Sequence, residues 1–142
     1  MRDCIFCKII DSRSESDVTV YENDSVVGLI SLHQKAANFG HVLVLPKAHI
    51  ETIYTLPAAL DVPIMSALRV LSRAVKMAFL AEGIHIRQNN ESAADQDVFH
   101  LHFHIVPRFR EDAFDDRPYQ RLPIELRKSL AVRLTKEILA AP

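Results

Sequence analysis

Polar and apolar residues alternate strictly over residues 99–105, Phe-His-Leu-His-Phe-His-Ile, before Val-Pro-Arg ends the run. Period two marks a β-strand, whose successive side chains point to opposite faces. Leu101, Phe103 and Ile105 are therefore expected to face a core, with His100, His102 and His104 on the other side. Two shorter strands are expected at 18–22 and 25–31, joined by a tight turn at Asn23-Asp24. Asn38-Phe39-Gly40 is a second turn, and 41–46 reads as a buried strand ended by Pro46. Residues 84–87 form another short strand. Over 57–81, Ile64, Leu68, Leu71, Val75 and Phe79 recur at spacings of three or four, which predicts a helix. Pro63 falls in or near its first turn, and Gly83 is the expected terminator. A last helix spans 123–139, with Leu126, Leu130, Leu134 and Ile138 in register, and a short one opens at 6–10. The polar stretches 12–17 and 89–97 are loops. Strands, helix, strands, helix with short links predict an α+β domain, an antiparallel sheet with helices against one face.

Composition narrows this picture. The 142 residues suit a single domain, with 49% hydrophobic and 25% charged residues. A net charge of −1 gives no electrostatic case for a nucleic-acid polymer or an anionic membrane. No apolar run reaches the length of a membrane span, and the N-terminus lacks a signal-like apolar stretch. The expectation is a cytoplasmic protein. The two cysteines, Cys4 and Cys7, are too close together to staple a fold. In a reducing compartment they point to metal or redox chemistry.

Three groups of residues could carry chemistry. Cys4 and Cys7 with His49 and His100 would make a Cys2His2 set for tetrahedral zinc, although the separation between the histidines is unlike that of a zinc finger. The pair could equally be small hydrophobes or a redox couple. The histidine row is a poor core, because each ring has two nitrogens that need partners. It could hold a metal. It could instead present a neutral imidazole as a nucleophile toward phosphorus, with protonated neighbours stabilising the phosphoryl oxygens. The loop Asn89–Asp97 offers amides suited to phosphate oxygens, or is simply a solvated turn.

His100-Leu101-His102-Phe103-His104-Ile105-Val106 matches, at every position, the pattern His-φ-His-φ-His-φ-φ of the histidine triad (HIT) superfamily, φ being apolar. The chain also resembles that family at Cys4 to Ile9, Gly40 to His49, Asn89-Asn90 and Val106-Pro107-Arg108. The C-terminal helix is similar to that of the zinc-containing bacterial members. The resemblance covers about residues 4–108 of a single domain spanning 1–142, with a C-terminal helical extension over about 109–142.

The resemblance implies the HIT α+β fold, a five-stranded antiparallel sheet with a long helix, continued across a homodimer. It implies a hydrolase or transferase acting at the α-phosphate of a nucleotide. His102 would be the nucleophile that becomes nucleotidylated, with His104 and His41 completing the catalytic group. Asn89 and Gln96 would contact phosphate and ribose. Cys4, Cys7, His49 and His100 would bind a structural zinc, and no organic cofactor is implied. Two positions depart from the pattern. His33 stands where many members carry a ribose-binding aspartate, and the proline that follows it there is absent. Asp95-Gln96-Asp97 replaces Gly-Gln-Ser or Gly-Gln-Thr, so Asp97 puts a carboxylate where a hydroxyl is usual.

The leading expectation is hydrolysis of a purine nucleoside phosphoramidate or related nucleotide conjugate. The alternatives are a dinucleoside polyphosphate hydrolase or phosphorylase, and a non-catalytic zinc-stabilised module binding a nucleotide or a protein.

Overall fold

The computed structural model describes residues 3–141. Helix α1 (Ile5–Ser12) leads into β1 (Thr19–Glu22) and β2 (Val26–Ile30). There follow β3 (His33–Gln34), β4 (Val42–Pro46), the long α2 (Asp61–Ala78) and β5 (Gly83–Gln88). Strand β6 (Phe103–Arg108), β7 (Gln120–Arg121) and α3 (Ile124–Ala140) complete the chain. The main sheet is antiparallel, in the order β1-β2-β4-β6-β5, and β3 pairs separately with β7. The α+β class and the five-stranded antiparallel sheet are as expected.

The β1–β2 turn forms because Asn23 Oδ1 accepts from the backbone N–H groups of Ser25 and Val26, at 2.9 and 2.8 Å. This is the local bonding that favours asparagine in turns. All five residues of β2 and of β4 are buried, since both faces of these central strands are covered. On one face, Val26, Ile30, Val42, Val44 and Ile105 meet Ile64, Leu68, Leu71 and Val75 of α2. Gly28 admits that approach, because a Cβ there would lie 2.7 Å from Leu71 Cδ1. On the other face, Val27, Leu29, Leu43 and Leu45 are capped by Phe6 of α1.

Three expectations are corrected. Helix α2 does not run to Gly83. It ends at Ala78, and exposed Leu80 takes the left-handed conformation at φ 53°, while the Ala81 N–H closes on the Lys76 carbonyl. Gly83 instead begins β5. The histidine strand starts at Phe103 rather than Phe99. Before it, the Leu101 N–H bonds the Ile50 carbonyl and the His100 N–H bonds that of Val98, so residues 98–101 leave the ladder. In α3, Leu126 is exposed and Arg127 is buried in its place. Arg127 donates to the Ile30 carbonyl at 2.7 Å and pairs with Glu15, which satisfies a charge that could not otherwise be buried.

The stretch 109–123 is not helical beyond one short turn. It is organised by Asp112, whose carboxylate accepts from Arg108, Asn38 and the N–H groups of Phe109 and Phe114. Arg108 above all, then these backbone and amide donors, holds the Asp112 carboxyl well below the usual carboxylate range. The stretch then folds back to pair β7 with β3.

Candidate active site and metal centre

Cys4, Cys7, His49 and His100 converge although they lie on three separate segments. One ligand atom from each falls within 4.8 Å of all the others. Cys4 Sγ is 3.4 Å from His100 Nδ1, and Cys7 Sγ is 3.3 Å from His49 Nδ1 and 3.6 Å from His100 Nδ1. A tetrahedral zinc would separate its sulfur and nitrogen ligands by about 3.6 Å, given the usual bond lengths. The tautomer also fits. His100 Nε2 donates to the Pro46 carbonyl at 2.8 Å, which leaves the Nδ1 lone pair facing the thiols. His49 Nε2 lies 3.9 Å from Glu51. Burial, and then the neighbouring Cys4 thiol, push Cys7 up to about 11. A cation among these ligands would reverse that balance and draw off the thiol protons. The residues present fit zinc.

His102 and His104 turn away from this cluster. His102 Nδ1 donates to the His100 carbonyl at 2.7 Å, so its Nε2 is left with a free lone pair. The ring is wedged between Phe6 and His104, with centroids at 5.1 and 5.0 Å. His104 Nδ1 meets His41 Nε2 at 2.9 Å. The three rings of the row thus point to three different partners and do not share one ion.

A cavity of about 600 Å³ opens over the rings of His41, His102 and His104. That volume suits a small-molecule ligand. Its apolar wall is built from Phe6 and Ile9 of α1 with Leu29 and Leu43 of the sheet, and its polar wall includes Arg87, Asn89 and Asp97. Burial, then the facing His104 and Arg87, holds His41 well below the ordinary histidine range. Burial, then His102 and Arg87, pushes His104 down to about 3. Near pH 7 in the free protein this pair is neutral. His41 and His104 therefore bring no protonated ring to a phosphoryl group before substrate binds.

The remaining residues singled out from the sequence divide. His33, Asn89 and Asp97 all line the cavity. The Asp97 carboxylate is 3.7 Å from His102 Nε2 and largely exposed. Asn89 Nδ2 donates to the Asp95 carbonyl at 3.1 Å. Gln96 is different. Its side chain bonds the Glu91 N–H and the carbonyls of Glu51 and Val98, so it pins the loop instead of facing the cavity.

Two features escaped the sequence reading. Buried Gln34 clamps the corner that carries His41, accepting from the N–H groups of Gly40 and His41 and donating to the carbonyls of Ser31 and His41. Arg87 and Tyr119 also reach the site, and Arg87 donates to the Tyr119 hydroxyl at 3.2 Å. The alternation of His85 and Arg87 in β5 could have flagged Arg87. Nothing local marks Gln34 or Tyr119.

Comparison with known proteins places this arrangement. The model of the HIT domain matches residues 12–111. The chain belongs to the HIT family. An uncharacterised HIT-like protein of Borreliella burgdorferi is 35% identical over 130 residues, covering 90% of this chain and 91% of that one. A Hit-like protein of Bartonella henselae superposes with TM-score 0.84 at 32% identity, over 96% of this chain and 98% of that one. A zinc-bound histidine triad protein of Mycobacterium smegmatis does so with TM-score 0.82 at 27% identity, over 98% and 95%. Relatives named as enzymes include an adenylylsulfatase of Arabidopsis thaliana, 34% identical over 78% of this chain and 54% of that one. An adenosine 5′-monophosphoramidase of Saccharomyces cerevisiae is 31% identical over 74% and 62%. The expectation of a HIT-family hydrolase is met at that level. Tyr119 lies beyond the matched HIT residues, so the C-terminal stretch adds a side chain to the HIT cavity. Among the described residues no helix is long and apolar enough to cross a membrane.

Proposed function

We propose that this HIT protein hydrolyses a nucleoside 5′-phosphate conjugate, a purine phosphoramidate or related compound, through a nucleotidyl-His102 intermediate. The observation that carries this reading is the free Nε2 of His102 at the floor of a cavity with an apolar wall on one side and polar groups on the other. The base packs on the Phe6, Ile9, Leu29 and Leu43 side, and the α-phosphate lies over His102. The Nε2 lone pair attacks phosphorus, and the bond to the leaving group breaks with its electrons going to that group, an amine taking up a proton from water in the cavity as it departs. The His100 carbonyl, already bonded to Nδ1–H, stabilises the positive ring that results. Water then attacks phosphorus, loses a proton to the neutral His41–His104 pair, and returns His102 as a neutral imidazole.

Asn89 contacts the phosphate, and His33 and Asp97 border the substrate. Gln96 acts by shaping the loop. Zinc at Cys4, Cys7, His49 and His100 would be structural, tying α1 to the segment that carries the nucleophile. No organic cofactor is needed. The protein would act in the cytoplasm as a homodimer. Strand β5 lies at one edge of the sheet with Ile86 exposed, which suits continuation of the sheet by a second copy.

The test is AMP release from adenosine 5′-phosphoramidate by the wild type and by His102→Ala. Turnover by the wild type alone supports the reading, whereas equal turnover by both overturns it. A binding-only module is favoured by one specific observation, the Asp97 carboxylate beside the nucleophile, which repels a phosphate. Nucleotide binding without turnover across amide, anhydride and dinucleotide substrates would select it.

A further inference from the structure

The cavity contains a cation that the reaction above leaves unused. Arg87 on β5 pairs directly across the sheet with His104 on β6, so both side chains rise from the same face. Among the described residues, its one hydrogen-bond partner is the neutral Tyr119 hydroxyl, and no carboxylate lies within ion-pair distance of it. Its Nε is buried without a partner. The half-buried guanidinium thus keeps donors free to take an anion that enters the cavity. Its charge already acts within the site, since it helps suppress protonation of both His41 and His104.

Position across the sheet shows what that anion belongs to. The apolar wall lies over β2 and β4, the nucleophile stands at the start of β6, and Arg87 is on β5 at the far side. A nucleotide with its base on the apolar wall and its α-phosphate over His102 directs the leaving group toward Arg87 and Tyr119. We infer that Arg87 and Tyr119 form a leaving-group subsite for an oxyanion, so that the preferred substrate is a nucleoside 5′-phosphate in anhydride linkage to a second anionic group. The chemistry agrees with a neutral imidazole pair. An amine must gain a proton as it leaves, and the neutral His41–His104 pair has none to give in the free protein. A phosphate or sulfate leaves with the bond electrons on its bridging oxygen and needs charge stabilisation instead, which a guanidinium gives in a bidentate geometry. The subsite rests on the reading of His102 as nucleophile for its catalytic consequence but not for its anion binding.

Two measurements separate these claims. The first compares kcat/KM on adenosine 5′-phosphosulfate and on adenosine 5′-phosphoramidate for the wild type, Arg87→Gln, Arg87→Lys and Tyr119→Phe. The ratio of phosphosulfate to phosphoramidate should fall at least tenfold in Arg87→Gln, less in Tyr119→Phe, and be partly restored in Arg87→Lys. An unchanged ratio overturns the subsite. The second uses calorimetry of ADP and AMP on the His102→Ala protein with and without Arg87→Gln. The advantage of ADP over AMP should shrink at least fivefold when Arg87 is replaced. No change in that advantage refutes the subsite even where no substrate is turned over, whereas absence of turnover with the advantage lost refutes only the hydrolase reading.

Discussion

Replacing Asp112 by alanine should be among the most damaging single changes to this fold. The carboxylate is 4% exposed. Its Oδ2 accepts from Asn38 Nδ2 at 2.8 Å, Arg108 Nε at 2.7 Å and the Phe109 N–H at 3.0 Å. Its Oδ1 accepts from Arg108 Nη2 at 3.0 Å and the Phe114 N–H at 3.1 Å. Removing the acceptor leaves a partly buried guanidinium and several amides without partners, a change worth about 3–5 kcal/mol. For a domain of this size that corresponds to a fall in Tm of about 10–20 °C. Asp112→Asn keeps the shape but turns an amide toward donors, so it should lose about 2–3 kcal/mol. The linkage sign is that of a carboxylate depressed in the folded state. The stabilisation is complete above the unfolded carboxylate range and lost as pH falls below about 4. Thermal denaturation of wild type and both variants at pH 7 and at pH 3.5, followed by circular dichroism, checks both points. Because Asp112 anchors the stretch that carries Tyr119, limited proteolysis should also open residues 109–123 first in the variant. A Tm within 2 °C of wild type for Asp112→Ala would refute the reasoning.

Four further outcomes are expected. Leu80→Gly should stabilise by about 0.5–1 kcal/mol in urea denaturation, because an exposed leucine now sits at φ 53°. Gly28→Ala should destabilise by about 1–3 kcal/mol in the same assay, since its methyl would stand 2.7 Å from Leu71 Cδ1. His104, held at about 3 by burial and its charged neighbours, is neutral when folded but protonates when unfolded below about pH 6.5. Its contribution is therefore lost as pH falls from about 6.5 toward 3, by about 2 kcal/mol at pH 5, and His104→Gln should show a correspondingly shallower fall of stability between pH 7 and 5. Purified protein should contain one zinc by elemental analysis, His49→Ala should lose it, and chelation should lower stability by about 4 kcal/mol if zinc is held at a thousandfold above its Kd.

The elements legible in the sequence were those set by short-range pattern. Ile64, Leu68, Leu71 and Val75 declared α2 through their spacing, and each is buried against the sheet. Alternation placed Leu101 and Ile105 in the interior. The candidate metal cluster was legible as one option among the residue types and firmed only through the family resemblance, because its ligands lie far apart along the chain; the fold brings all four together. What stayed hidden depends on partners far along the chain. Leu80 assumes the left-handed cap because the chain must turn there into β5, against the local preference for Gly83. Arg127 displaces Leu126 from the buried face of α3 because Glu15 and the Ile30 carbonyl await it. Arg87 becomes part of the site only through its register with His104. Gln34 matters only because the turn at residues 35–40 folds His41 back over it.

The proposed reaction requires a bond between His102 and phosphorus. The protein would be mixed with adenosine 5′-phosphoramidate, quenched on the millisecond scale in base, where phosphoramidate bonds to histidine persist, and analysed by intact and peptide mass spectrometry. The account predicts one adenylyl group, confined to the peptide carrying His102 and absent from His102→Ala. Steady AMP release with no adenylylated protein at any time, or an adenylyl group on His41 or His104 instead, would contradict it.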